Sequence, residues 1–114
     1  MLPAKNRLTR DQDFQRVATK GRYSYSPLLT VKYYPNRLPV SRFGFVISTK
    51  IDKRAVVRNR TKRQVREVIR LRLANLRTGM DIVIIMKKAS VGQEMAVLRH
   101  DLLSTLDKAG LYVD

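Results

Sequence analysis

The chain has 114 residues, is 44% hydrophobic and carries a formal net charge of +15 at pH 7. This length and hydrophobicity predict one folded domain over residues 1–114, and the charge predicts an abundant polyanion as its partner, most simply RNA or DNA. The sequence contains no cysteine, which excludes a disulfide framework and a thiolate metal site.

The sequence also lacks the pattern of a secreted or membrane protein. Residues 1–8 have no apolar signal region, and the longest aliphatic run, Ile82 to Met86, is far shorter than the roughly 20 residues that span a bilayer. We therefore expect a soluble, cytoplasmic protein.

A short helix is predicted from Arg10 to Lys20. Thr9 has the side chain of an N-cap, and Gly21 suits the C-terminal end of a helix. Asp11 and Asp13 are favoured in the first turn by the helix dipole. Residues two apart on a helix do not face each other, so the two aspartates do not predict a metal site. The apolar stripe of this helix consists of Phe14, Val17 and Ala18.

Three segments have the composition of β-strands. From Arg22 to Pro35 β-forming residues predominate, and apolar and polar residues alternate over positions 29–34, which predicts a strand with one buried and one open face. The segment Arg42–Thr49, RFGFVIST, is nearly continuous in apolar residues and predicts a central strand covered on both faces. The segment Asp81–Lys87, DIVIIMK, predicts a further buried strand.

The segment from Lys50 to Arg77 carries most of the charge. Eleven of its residues are Lys or Arg and two are acidic, which gives +9 of the chain's +15. After a charged loop, a helix is predicted from about Ala55 to Leu76. At about 100° per residue its apolar and basic residues gather on opposite sides. The apolar side consists of Val57, Val65, Val68, Ile69 and Leu76, and the basic side of Asn59, Lys62, Arg63, Arg66, Arg70 and Arg77.

The basic side of this helix predicts phosphate binding. Arg63, Arg66 and Arg70 follow one another at spacings of three and four residues, so their planar guanidinium groups project in a row along the helix. The alternatives are a membrane surface, an acidic partner protein and a solvated helix face. A solvated face normally mixes both signs of charge, whereas Glu67 is the only acid of this helix. Nucleic-acid binding is therefore favoured.

A third helix is predicted from Glu94 to Lys108, after a break at residues 90–92 and before Gly110. The elements then follow in the order helix, strands, long basic helix, strand and helix. This order predicts an α+β fold, a two-layer α/β sandwich in which the basic helix lies across the sheet with its cationic side outward.

The sequence offers no obvious catalytic groups of its own. Its nine acids are spread singly, His100 is its one histidine, and its five glycines are isolated. A carboxylate cluster, a general base with a partner and a glycine-rich phosphate loop are therefore all absent. We expect no catalytic and no metal-binding residue in the protein. Any catalysis would come from its partner.

The sequence resembles the bacterial ribonuclease P protein subunit. The signature is RNRxKRxxR at the start of the basic helix, formed by Arg58, Asn59, Arg60, Lys62, Arg63 and Arg66. The likeness extends to Arg7-Leu8, Asp13-Phe14, Gly21, residues 42–48 as the family's central strand and residues 81–83 as its last strand. The resemblance therefore covers most of the chain.

This resemblance implies a fold and an activity. The fold would have a mixed sheet of about four strands and three helices, with the central basic helix in a left-handed crossover, against the usual handedness. The partner would be a large catalytic RNA that, with Mg²⁺, removes the 5′ leader from precursor tRNA. The alternative is a small basic ribosomal or rRNA-binding structural protein. A DNA-binding regulator is disfavoured because no helix-turn-helix pattern precedes the basic helix.

The resemblance also assigns site residues. The residues matched to the RNA-facing motif are Arg58, Asn59, Arg60, Lys62, Arg63 and Arg66, and we add Arg70, Lys53 and Arg54 from the same helix and the loop before it. The residues assigned to a leader-binding cleft between the first helix and the sheet are Phe14, Ala18, Lys32 and Tyr34. Ala18 and Lys32 stand where the family commonly has aromatics. Tyr34 lies on the same strand face as Lys32 and offers an alternative surface for stacking.

Overall fold

The computed structural model of the protein describes residues 2–113. Within that range three α-helices accompany one four-stranded sheet. The elements are α1 (Asp11–Lys20), β1 (Arg22–Tyr25), β2 (Leu29–Pro35), β3 (Arg42–Val46), α2 (Ala55–Arg72), β4 (Met80–Met86) and α3 (Met95–Lys108). Short 3-10 turns occupy Ala4–Asn6, Leu73–Asn75 and Lys88–Ser90. The predicted α+β fold with three helices and a four-stranded sheet is confirmed.

The sheet is mixed, with the strand order β1-β2-β4-β3. β1 and β2, and β2 and β4, pair antiparallel, whereas β3 and β4 pair parallel. A parallel neighbour requires a crossover connection, which α2 supplies between β3 and β4. The basic helix is therefore fixed against the sheet at both of its ends.

The two faces of the sheet are covered differently. One face packs against α2 and α3 and forms the main core, which includes Leu29, Val31, Phe43, Val65, Val68, Ile69, Ile82, Ile84, Leu98, Leu102 and Leu106. The other face carries α1 over a smaller cluster made of Leu8, Val17 and Val83, with Phe14, Tyr34 and Ile85 packed against it. Because α1 is short, part of this second face stays open to solvent.

Two of the strand predictions were wrong in their bounds. The segment Arg22–Pro35 forms two antiparallel strands rather than one, because the chain turns at Ser26 and Pro27. The Ser26 hydroxyl oxygen accepts hydrogen bonds from the backbone N–H groups of Leu28 and Leu29, at 3.2 and 3.1 Å. These bonds hold the turn closed.

The strand predicted as central from Arg42 to Thr49 is an edge strand that ends at Val46. β4 is the interior strand, and six of its seven residues are buried. β3 is apolar although it lies at an edge of the sheet. The N-terminal segment covers its free edge, and α1 covers one of its faces. The backbone N–H of Leu8 donates to the Phe43 carbonyl oxygen at 2.9 Å, in a short parallel bridge outside the sheet.

The helix ends also differ from the prediction. The N-cap of α1 is Arg10 and not Thr9, and its side chain makes no capping hydrogen bond. α2 ends at Arg72, so Arg77 leaves the predicted basic face. The backbone N–H of Arg77 donates instead to the carbonyl oxygen of Leu111 at 2.8 Å. Leu76 is buried, as expected of the apolar side, but it lies beyond the helix.

A charged cluster beneath α1 joins three elements of the fold. Arg42 donates from Nε and Nη2 to both carboxylate oxygens of Asp81, at 2.8 and 2.7 Å, and its Nη1 lies 3.4 Å from Asp13 Oδ2. The side chains of Asp13 and Asp81 are only 7% and 4% exposed. The hydrogen bond to Asp81 is the main cause of a raised pKa at Arg42, opposed by burial. Asp13, Arg42 and Asp81 are far apart in the sequence, so no local pattern predicts this cluster.

Replacing Arg42 by Met keeps the apolar stem of the side chain and removes its charge. We expect the free energy of unfolding to fall by about 3 kcal/mol or more, because two buried carboxylates lose their shared cation. Urea denaturation at neutral pH measures this difference. The control is Arg54→Met, which breaks a solvent-exposed pair with Asp52 and should cost far less stability. Equal small losses in both variants would contradict the stabilising role of Arg42.

Candidate nucleic-acid interface

The orientation of α2 agrees with its sequence pattern. Val65, Val68 and Ile69 are buried against the sheet and α3, whereas Asn59 and Arg63 are exposed on the opposite side. The exposed side carries a shallow depression that we call the basic groove, lined by Val56, Asn59, Lys62, Arg63 and Arg66. A rigid helix therefore presents three cations and one amide around a common concave surface.

An apolar side chain lies at one end of the basic groove. Val56 is 76% exposed, although it belongs to the first turn of α2. Val56 lies three residues before Asn59 and seven before Arg63, so it falls on the basic side of the helix, but its apolar side chain was not among the residues predicted for the site. Its exposure beside Asn59 and Lys62 is the structural signal for including it.

Several cations of the predicted set are already paired within the protein. Arg70 donates from Nε and Nη2 to the Glu67 carboxylate at 2.9 and 2.6 Å, and this hydrogen bonding is the main cause of a lowered pKa at Glu67. Arg58 donates from Nη1 to the carbonyl oxygen of Asp52 at 2.8 Å. The charge of Arg70 is thus partly offset, and Arg58 shapes the loop before α2.

The same loop holds an ion pair between its two neighbouring charges. Arg54 Nη2 lies 2.9 Å from Asp52 Oδ2, and the Arg54 side chain and backbone hydrogen bonds lower the pKa of Asp52 to about 2. The Asp52 carboxylate is therefore ionised at neutral pH. Lys53 and Arg60 are exposed, and both stay predicted RNA-binding residues.

Arg66 connects the basic groove to the region of α1. Its guanidinium carbon lies 5.3 Å from the centre of the Phe45 ring, a distance at which a cation is attracted to an aromatic face. Arg66 also lines a second depression, together with Leu8, Phe14, Gly44 and Phe45. Arg66 lines both depressions, so the basic groove and the depression at Phe14 adjoin.

The predicted cleft residues are brought together only in part. Phe14 and Tyr34 pack against the same small cluster under α1 and are both half-buried. Lys32 lies on the same face of β2 as Tyr34, opposite Val83 of β4. Ala18 is exposed and does not belong to this cluster, because Val17 is the residue of that turn that packs on the sheet. All four stay predicted cleft residues, and Phe14, Lys32 and Tyr34 are those that the structure places on one face of the sheet.

Gly44 determines where the Phe14 ring lies. A Cβ atom at position 44 would be 2.4 and 2.5 Å from two carbons of that ring, far inside van der Waals contact. The ring therefore lies directly on the backbone of β3, which only glycine permits at this separation. Gly44 belongs to the strand that matches the family, but nothing in the sequence indicates this contact with Phe14.

Comparisons with known proteins agree with the resemblance. A family model described as Ribonuclease P matches residues 2–110. The chain belongs to the ribonuclease P protein family. The ribonuclease P protein component of a Pseudanabaena species is 38% identical over 110 residues, which cover 96% of this chain and 95% of that protein. The corresponding protein of Caldanaerobacter subterraneus is 36% identical over 106 residues, which cover 93% and 90%.

Solved structures of ribonuclease P proteins share the fold. A mutant Staphylococcus aureus RNase P protein, described as defective in mRNA degradation activity, has a TM-score of 0.88 at 26% identity, over 95% of this chain and 91% of that chain. The Thermotoga maritima RNase P protein has a TM-score of 0.82 at 29% identity, over 90% and 96%. Membership of this family makes the chain a protein subunit of ribonuclease P, an RNA-processing enzyme.

Two further observations concern membranes and metals. Across residues 2–113, the helices are each too short or too polar to cross a membrane. Over the same residues, histidine and acidic side chains do not gather in groups of three or more that could hold a metal ion.

The contact of Phe14 with Gly44 can be tested by a double-mutant cycle. Gly44→Ala should lower the free energy of unfolding by about 1–3 kcal/mol, because the added methyl group collides with the ring. In a chain that already carries Phe14→Ala, the loss in free energy of unfolding caused by Gly44→Ala should be smaller by at least about 1 kcal/mol than in the wild-type chain. Gly44→Ala combined with Leu98→Ala, on the opposite face of the sheet, should be additive. Additivity in the Phe14 cycle would contradict the contact.

The basic groove should bind RNA through free cations. Replacing Lys62 and Arg63 by Ala should weaken RNA binding and lower the slope of log K against log salt by about one unit per lost phosphate contact. The melting temperature should not fall, because Arg63 is exposed and like charges are removed. Arg70→Ala should have a smaller effect, since Glu67 already pairs with it. Arg99→Ala, an exposed change on α3, is the control. An unchanged salt slope in the double variant would refute the assignment.

Proposed function

We propose that this chain binds the RNA subunit of ribonuclease P through the basic groove and the 5′ leader of precursor tRNA through the cleft of Phe14, Lys32 and Tyr34. The observation that carries this proposal is the shared position of Arg66, which lines the depression at Phe14 as well as the basic groove. The basic groove and the Phe14 side of the cleft thus adjoin at Arg66, which supports one RNA-facing surface with a cationic and an aromatic part.

The two parts of this surface suit different features of RNA. Phosphate contacts with Lys and Arg supply affinity that depends on salt and not on sequence. Half-buried aromatic rings offer faces on which unpaired bases stack, and unpaired bases occur in a single-stranded leader. A structured RNA subunit at the basic groove and a single strand at the cleft match this division.

We further propose that the RNA partner performs the cleavage and holds most of the Mg²⁺. Asp13 and Asp81 lie on either side of Arg42, and both are bound by it. Asp52 and Glu67 are bound by Arg54 and Arg70. Magnesium requires oxygen ligands that are free to face it. The pairing of these acids with arginines therefore supports a role for the protein in binding rather than in activating water.

A ribosomal or rRNA-binding role is the alternative function. Family membership does not favour it, and an aromatic cleft beside an open sheet face suits a mobile single strand better than a fixed ribosomal contact. Both the proposed RNA partner and precursor tRNA would place the protein in the cytoplasm.

The proposal is tested by reconstituting the protein with the ribonuclease P RNA of its organism. We expect the protein to restore precursor cleavage at magnesium concentrations where the RNA alone is inactive. Tyr34→Ala should weaken binding of precursor tRNA by roughly 1–3 kcal/mol and leave mature tRNA unaffected, because mature tRNA has no leader to stack on the ring.

Tyr34→Phe is the matched control, because it keeps the ring and removes only the hydroxyl group. It should retain the affinity for precursor tRNA. Phe14→Ala is a less selective probe, because the Phe14 ring also packs on Gly44 and its loss lowers stability. Equal weakening of precursor and mature tRNA by Tyr34→Ala would contradict a leader-binding role. Failure of the protein to promote cleavage would contradict the proposed function.

A further inference from the structure

Two exposed tyrosines form a stacked pair on the open part of the sheet. Tyr23 and Tyr25 of β1 are 64% and 61% exposed. Their ring centroids lie 6.1 Å apart with 27° between the ring planes, within the range of stacked aromatic pairs. Two large rings exposed side by side form a contiguous apolar patch, which in a soluble protein marks an interaction surface. Neither ring is among the cleft residues assigned above.

The pair extends the surface that begins at the cleft. In the sheet register Tyr23 pairs with Lys32 and Tyr25 pairs with Thr30. Directly paired residues point to the same face, so both tyrosines share the face of Lys32 and Tyr34. Tyr23 is a diagonal neighbour of Tyr34, and such neighbours lie about 7–8 Å apart. An extended strand that contacts Tyr34 therefore reaches Tyr23 next.

The sheet order places this pair farthest from the basic groove. β1 forms one edge of the sheet and β3 the other, and Arg66 of the groove lies over Phe45 of β3. Because α2 lies on the other face of the sheet, a strand that runs from the groove to this pair passes the β3 edge and then crosses β4 and β2. A leader that enters the cleft from the side of Arg66 therefore reaches Tyr23 and Tyr25 only with its part most distant from that point of entry.

Lysine side chains accompany the rings. Lys87 Nζ lies 5.4 Å from the centre of the Tyr25 ring and donates to the Ser26 carbonyl oxygen at 2.6 Å. Lys108 Nζ donates to the Tyr25 carbonyl oxygen at 3.0 Å. One acid, Asp101, lies in the adjacent depression, where it accepts a hydrogen bond from the Ser26 hydroxyl. Lys87 over the Tyr25 ring and Lys32 opposite Tyr23 place two cations beside the rings, whereas Lys108 reaches only the Tyr25 backbone from α3, and this favours an anionic ligand.

We propose that Tyr23 and Tyr25 are a second stacking site for unpaired RNA bases, which extends the cleft toward the free edge of β1. Aromatic rings beside cations are the arrangement by which proteins bind single-stranded nucleic acid without strong sequence preference. The ligand is a single RNA strand whose bases stack on the rings and whose phosphates lie near Lys87 and Lys32. This inference rests on the proposed function for the identity of the strand, the precursor leader.

The first experiment uses the reconstituted enzyme and precursor tRNAs whose leaders lengthen by one nucleotide at a time. The double variant Tyr23→Leu/Tyr25→Leu should bind long-leader precursors about tenfold more weakly, and short-leader precursors and mature tRNA as well as wild type does. The control Tyr23→Phe/Tyr25→Phe keeps both rings and should retain affinity for every leader. Lys87→Ala should weaken only long-leader binding, whereas Lys88→Ala on the neighbouring exposed lysine should not.

Two outcomes would overturn the proposal. One is equal affinity of the Leu and Phe double variants for all leaders. The other is equal weakening of binding to long-leader precursors, short-leader precursors and mature tRNA together with a lowered melting temperature, which would make the tyrosines structural. Because both rings are largely exposed, the Leu variant should melt at the wild-type temperature.

A second experiment does not depend on ribonuclease P activity. The chain contains no tryptophan, so Tyr23→Trp introduces a single fluorescent indole into the proposed site. Single-stranded oligoribonucleotides should quench its emission in the free protein, and Tyr25→Leu in the same chain should reduce that quenching. Absence of quenching would overturn the stacking site. Failure of wild-type protein to promote cleavage, with quenching intact, would refute the proposed function and leave the stacking site supported.

Discussion

The ion cluster around Arg42 is the contact on which the arrangement of this protein depends. Its guanidinium group joins Asp13 of α1 to Asp81 of β4, and Arg42 itself belongs to β3. Only the planar fork of arginine can bind one carboxylate through two nitrogens and a second through the third nitrogen. Phe14 follows Asp13 directly, so anchoring Asp13 also brings the Phe14 ring onto Gly44. The geometry of the cleft is thus set by a buried charge contact outside it.

This use of acids explains how a chain with a net charge of +15 keeps a defined surface. Asp13, Asp52, Glu67 and Asp81 are each bound by an arginine of the same chain. The acids hold helices and loops in place, whereas Lys62 and Arg63 stay free to bind RNA. The like charges that remain repel one another in the free protein, and neutralisation by an RNA backbone removes that repulsion. RNA binding should therefore also stabilise the fold.

The sequence predicted elements that follow a local period better than it predicted their boundaries. The apolar side of α2 was predicted correctly because Val65, Val68 and Ile69 repeat at helical spacing. The end of α2 was missed because Leu76 continues that spacing while its backbone leaves the helix to form a bridge with Tyr112. β3 was predicted as a central strand because it is nearly continuous in apolar residues. An edge strand that is covered by α1 and by neighbouring strand segments has the same apolar composition as a central strand. Composition reports burial and not the element that causes it.

The binding surface was predictable to the extent that its residues lie on one periodic element. The basic side of α2 followed from spacing alone, but the pairing of Arg70 with Glu67 and the position of Arg66 on Phe45 depend on side-chain geometry that the spacing leaves open. Ala18 was assigned to the cleft from the resemblance alone, and the structure adds that Ala18 is exposed whereas Val17 of the same turn is buried on the sheet. By contrast, Tyr23 and Tyr25 alternate on a strand, which places them on one face. That alternation was present in the sequence. The same two rings beneath a helix would belong to the core, so only the open sheet face beyond α1 indicates a binding role for them.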